Sequence, residues 1–260
     1  MHDGSELLQA FAAVTDGDDE LDVALLVARC IDPATQPVLV RTQLKSLTDR
    51  LRNAAAQSVG AVSAEQVLAV FRAQGFGASP LHQVAAHHSH VGWVLTQQQG
   101  LPITQAVILM HCARELGLQS HGINFPGHYL VQVADTVVDP LAMQPVSAQQ
   151  LAAAGQVVGV HSARALGLRM LNNLKALAAQ TGQWQRVLEL LDFQEPLASR
   201  DRAVLAALRY EAGEAWERLG VAHLAREAFS ACLALEPAQS VMTAARDRLR
   251  KLQGRNDVVH

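Results

Sequence analysis

The sequence predicts a mainly α-helical chain with one small antiparallel β element, an α+β protein in two parts. Half of the 260 residues are hydrophobic but only 4% are aromatic, and alanine is abundant, a composition that favours closely packed helices over a β-sandwich. Apolar residues recur at helical spacing along most of the chain, whereas strand-like segments are confined to residues 120–138. From about residue 164 the pattern becomes paired amphipathic helices punctuated by glycines. The length suits one large or two modest domains, and the expected division is 1–163 and 164–260.

Residues 20–30 follow the acidic run Asp16-Gly17-Asp18-Asp19 and read as a helix with carboxylates in its first turn, ended by Asp32-Pro33. Further helices are expected from about Val38 to Ala56 and from Ser63 to Gln74, where Ser63 caps and Gln66 completes a capping box. Residues 102–117 start with a first-turn proline and stop at Leu116-Gly117. Ile103, Ala106, Val107, Met110 and Ala113 fill one face of that helix and Ile108, Leu109, Cys112 and Leu116 another, so it belongs at a domain centre. Strands are expected at Ser120–Asn124, His128–Val133 and Thr136–Val138.

A two-residue loop at Ala134-Asp135 pairs Val133 with Thr136 and Leu130 with Asp139. His128 and Asp139 then share a sheet face as diagonal neighbours, and a carboxylate there can hold one imidazole tautomer for base work. This pair supplies two members of a catalytic triad. The parity predicts that the two side chains lie within hydrogen-bonding reach and that the start of the helix from Pro102 faces them.

In the C-terminal part, Gly182 and Gly220 each end a helix and lie 38 residues apart. Gly213, Trp216, Gly220, Ala225, Phe229, Cys232 and Pro237 fall where a tetratricopeptide repeat places its small, aromatic and terminating residues. Ala225 and Gly213 are expected where the two helices of a repeat cross closely, with Trp184, Trp216, Phe229 and Leu233 packing between repeats and Arg202 and Arg209 facing the solvent or a groove.

The runs Gly100-Leu101-Pro102-Ile103-Thr104, Ala113-Arg114-Glu115-Leu116-Gly117-Leu118, Gly122-Ile123-Asn124-Phe125-Pro126-Gly127-His128 and Val138-Asp139-Pro140, followed by tetratricopeptide-like helices, resemble the bacterial SirB-type family of transglutaminase-like proteins. The resemblance implies a helical transglutaminase-like domain followed by tetratricopeptide-like hairpins. It also implies a cysteine at the start of the central helix, with His128 and Asp139 matching the family histidine and aspartate. That cysteine is missing: the position falls at about Pro102, Ile103 or Thr104. Cys112 lies about three turns further on, roughly 15 Å of axial rise away. Thr104 is the only hydroxyl nearby, and a β-branched alcohol inside a helix usually bonds a backbone carbonyl.

His82, His87, His88 and His90 crowd one segment, but no carboxylate or cysteine beside them completes a metal shell, and no metal or cofactor is expected. Phosphate-loop and dinucleotide fingerprints are absent. Residues 1–163 carry 7 Lys/Arg against 13 Asp/Glu and residues 164–260 carry 14 against 11, without a basic run interleaved with aromatics, so neither nucleic acid nor membrane is an expected partner. The N-terminus lacks the basic start of a secretory signal, and Cys30, Cys112 and Cys232 have no disulfide or zinc spacing, which points to the cytoplasm. The expected function is non-catalytic binding or scaffolding of a protein or peptide. The alternative is a hydrolase or acyl-transferase using His128 and Asp139 with Thr104 or water as nucleophile.

Overall fold

The computed structural model describes residues 2–56, 62–77, 83–125, 128–154 and 162–254. Helices α1 (His2–Ala13), α2 (Glu20–Ile31), α3 (Pro37–Ala56) and α4 (Ala64–Ala73) come first, followed by a 3-10 turn at Ala86–Ser89, α5 (Val91–Gln97) and α6 (Pro102–Glu115). Four strands follow: β1 (Ser120–Phe125), β2 (His128–Val133), β3 (Thr136–Asp139) and β4 (Gln144–Pro145). The remaining helices are α7 (Ala148–Ala154), α8 (Ala163–Gln180), α9 (Trp184–Ala198), α10 (Arg202–Arg218), α11 (Ala222–Ala234) and α12 (Gln239–Gly254). The mainly helical class with a small antiparallel sheet is therefore the fold the chain adopts, with strand order β1-β2-β3-β4. The residues group into two compact units, Val14–Met170 and, separately, α1 together with the chain from Leu171 onward.

In the unit Val14–Met170, α6 is buried on nearly every side, from Ile103 to Met110 and again at Cys112 and Ala113. Its stop is a left-handed glycine motif. Gly117 has φ +82°, its N–H donates to the Arg114 carbonyl, and the Leu118 N–H reaches back to the Ala113 carbonyl at 2.9 Å. The expected Ser63 capping box closes the start of α4, with the Gln66 N–H donating to Ser63 Oγ and the Ser63 N–H donating to Gln66 Oε1.

The sheet packs on α6 through one face. Ser120 Oγ donates to the Met110 carbonyl at 3.0 Å, which fixes that face as the one carrying Ser120, and the register adds Gly122, Tyr129, Val131, Val133 and Val138 to it. Gly122 is required there, because a Cβ would sit 2.1 Å from the Tyr129 hydroxyl. The opposite face carries Ile123, Leu130 and Val137, partly covered by Val146 and Leu151. Between α2, α6 and β1, Arg114 donates to both carboxylate oxygens of the buried Glu20, at 2.5 and 3.0 Å, and to the Ser120 carbonyl. The strand β4, too short to show a period, was not among the expected elements.

In the other unit, helices α9 to α12 form an antiparallel series that buries Ala206, Ala225, Phe229, Cys232, Ala245 and Leu252. Gly182 (φ +70°) and Gly220 (φ +78°) end their helices with the same bond pattern, an N–H one residue on reaching a carbonyl five residues back. A Cβ on Gly213 would sit 2.5 Å from the Phe229 ring, which is the close crossing expected there. Trp216 and Leu233 are partly buried against this core, and Trp184 lies beneath the Arg218 guanidinium. Helix α1 packs on α9, with the Phe11 and Phe193 rings 5.4 Å apart. Among the described residues no helix is long and apolar enough to cross a membrane.

Candidate functional site

His128 opens β2 and Asp139 closes β3. Val133 pairs Thr136 and Val131 pairs Val138, so the two-residue loop at Ala134-Asp135 forms as expected, and continuing the register sets Leu130 against Asp139. His128 and Asp139 line one cavity of about 280 Å³ together with Leu130, Gln144, Pro145, Val146 and Gln150. His128 is exposed and Asp139 half-buried at its rim.

Their mutual hydrogen bond is absent, however. The Asp139 carboxylate instead accepts the Leu141 N–H at 2.8 Å, a local turn that follows from the proline between them. A short aspartate side chain reaches its own backbone two residues on more easily than a diagonal neighbour across the strand. The expected contact therefore needs Asp139 to leave this turn.

The start of α6 does not face the pair. Thr104 is fully buried, its hydroxyl has no hydrogen-bond partner among the described residues, and it stands on the helix that packs against the opposite sheet face. No α6 residue lines the cavity. Of the packing or backbone-bonding role expected for Thr104, full burial fits the first, and no backbone bond is seen among the described residues. Cys112 offers no replacement: it is buried, Thr48 Oγ1 donates to its sulfur at 3.5 Å, and burial pushes its thiol pKa up to about 12.

Of the histidine cluster, His82 lies outside the described residues. His87 stacks on Trp93 with ring centroids 4.2 Å apart, while His88 and His90 accept backbone N–H bonds from Ala85 and Trp93. Among the described residues no three metal-ligating side chains converge.

Two residues of the cavity, and one that holds the His128 backbone from the other sheet face, escape a reading of the sequence. Arg169 on α8 donates to Asn124 Oδ1 and, at 2.8 Å, to the His128 carbonyl, and its guanidinium lies 5.3 Å from the centre of the Tyr129 ring. Burial raises the Tyr129 phenol, so Arg169 meets a neutral π face there. Nothing local in the sequence marks Arg169. Gln144 and Gln150 line the cavity, and a signal for the second existed: Ser147 and Gln150 form a capping box at the start of α7.

The transglutaminase-like superfamily profile matches residues 39–178, which include α6, the sheet and both His128 and Asp139. The UPF0162 protein of Xylella fastidiosa strain 9a5c is 26% identical over 234 residues, covering 76% of this chain and 82% of its own length. Its counterpart from strain Temecula1 is 27% identical over 223 residues, covering 72% and 78%. A UPF0162 protein of Pseudomonas aeruginosa is 43% identical over 49 residues, 18% of each chain. No solved structure matches. Because the matched segment spans more than half of the residues, the chain belongs to the transglutaminase-like superfamily.

Proposed function

We propose that this protein is a non-catalytic transglutaminase-like protein of the SirB type, with a tetratricopeptide-like module from residue 164, that binds a protein or peptide in the cytoplasm. The observation that carries the reading is the composition of the His128–Asp139 cavity, which among the described residues has a base and a carboxylate but no hydroxyl or thiol on its walls. Leu130, Pro145 and Val146 give it an apolar floor, and Gln144 and Gln150 give it amides, a mixture suited to a peptide side chain and backbone. The cysteines among the described residues are buried, in keeping with a reducing compartment.

The test pairs activity with binding. The purified full chain should show no amide hydrolysis, ester hydrolysis or amine transfer across a substrate panel. It should select peptides from a display library, and His128→Trp, which fills the cavity from its exposed rim, should abolish that selection. Turnover lost in His128→Ala would instead establish the hydrolase or acyl-transferase alternative with water as nucleophile, and turnover lost in a folded Thr104→Ala variant would give Thr104 that role.

A further inference from the structure

We infer that His88 and His90 form a proton-operated latch over the start of α6. This inference is independent of the cavity at His128.

Both imidazoles are used as acceptors. His90 caps α5, its Nδ1 accepting the Trp93 N–H at 3.1 Å. Its Nε2 lies 2.8 Å from Thr35 Oγ1, and that hydroxyl donates its own proton to the Asp32 carbonyl at 2.6 Å. Nε2 must therefore carry the hydrogen, which leaves Nδ1 bare and the ring neutral. His88 does the same one turn earlier, its Nδ1 accepting the Ala85 N–H at 2.9 Å at the head of the 3-10 turn. A second proton on either ring would set an N–H against an N–H and remove the cap.

The latch reaches α6 through the backbone. The His88 carbonyl accepts the Leu101 N–H at 3.0 Å, immediately before Pro102. Gly100 is held close beneath, where a Cβ would lie 2.6 Å from Val94. Just beyond, Thr104 Oγ1 and Gln105 Oε1 are buried without hydrogen-bond partners among the described residues, so water admitted at this end would find two acceptors waiting.

The surroundings set the direction. Burial lowers the pKa of both histidines; at His88 the neighbouring His87 adds to this, and at His90 a hydrogen bond to its own backbone and then the Asp32 carboxylate from the end of α2 oppose it without prevailing. Trp93 stacks against His87 and His88, and α3 presents the apolar Val40 beside Gly92. The neutral, latched state is therefore the resting state at neutral pH, and the latch opens on the acid side of the ordinary histidine value of about 6.5.

Hydrogen exchange of the full chain at pH 7.5 and pH 5.5, corrected for intrinsic exchange, tests this. Protection of the amides from residue 85 to 101 should fall several-fold between pH 7.5 and pH 5.5, while α10 and α11 keep theirs. His88→Asn combined with His90→Asn, which retains a cap acceptor that does not titrate, should remove the difference. Equal protection of residues 85–101 at both pH values in the native chain would overturn the inference, as would a loss spread evenly over all helices. That native-chain measurement decides the matter even where the double variant does not fold.

Discussion

Replacing Gly213 with alanine separates two effects of opposite sign. In an exposed helix interior the change stabilises by about 1 kcal/mol through backbone entropy. In α10 the new Cβ would lie 2.5, 2.7 and 2.7 Å from three carbons of the Phe229 ring. The ring has nowhere to go: Phe229 is fully buried, packed with Ala206, Ala225 and Cys232, and lies 5.4 Å centroid to centroid from Tyr210. Three contacts this short put the overpacking cost toward the upper end of the usual range, about 2–3 kcal/mol, so the expected net loss is about 1–2 kcal/mol. Urea unfolding followed by far-ultraviolet circular dichroism reads it as a lower midpoint at unchanged slope. On a Phe229→Leu background the same Gly213→Ala change should be neutral or stabilising, a coupling of about 1–2 kcal/mol. A higher midpoint for Gly213→Ala in the native background would show that α10 and α11 do not cross at this point.

Iodoacetamide should leave Cys112 unmodified in the native chain and label it in urea, checked by mass spectrometry of the tryptic peptide, because burial holds the thiol protonated and out of reach. Arg114→Ala leaves the Glu20 carboxylate buried without its bidentate partner and should cost about 2–3 kcal/mol, discounted for the partial exposure of Arg114; a loss under about 0.5 kcal/mol in the urea midpoint would refute that role. Phe11→Ala should cost about 3–5 kcal/mol and loosen α9 in hydrogen exchange, since Phe11 is fully buried and stacks on Phe193. A fragment of residues 164–260 lacks that contact and should be unstable, whereas the full chain melts cooperatively. Burial also lowers the His111 pKa, which places protons on the unfolded chain before the folded one; the resulting stability is present above about pH 6.5 and lost as pH falls toward the lower folded value, a trend that guanidinium midpoints from pH 7.5 to 5 would reveal.

What could be read from the sequence were the features set by local rules. Pro102 and Gly117 bracket α6 because each fixes a backbone state, and Ser63 with Gln66 closes α4 by bonds within four residues. The β2–β3 register followed from period two and a two-residue loop, so the shared face of His128 and Asp139 was legible. Which face meets α6 was not, since it depends on contacts between residues far apart in the chain. The same holds for the clamp of Arg169 on the His128 carbonyl and for the partner of α1.

That missing information decides how the site can be used. Side-chain parity in a strand is binary, so His128 and Asp139 could turn toward α6 only if β2 and β3 both slipped by one residue relative to the helix. Such a slip would send Tyr129, Val131 and Val138, all nearly or fully buried, to the open face. It would also remove Tyr129 from the space that Gly122 leaves by lacking a side chain. Several buried residues thus hold the register that keeps the histidine and aspartate on the cavity side, away from Thr104. Among the described residues the pair therefore meets the lining of the cavity and no residue of α6.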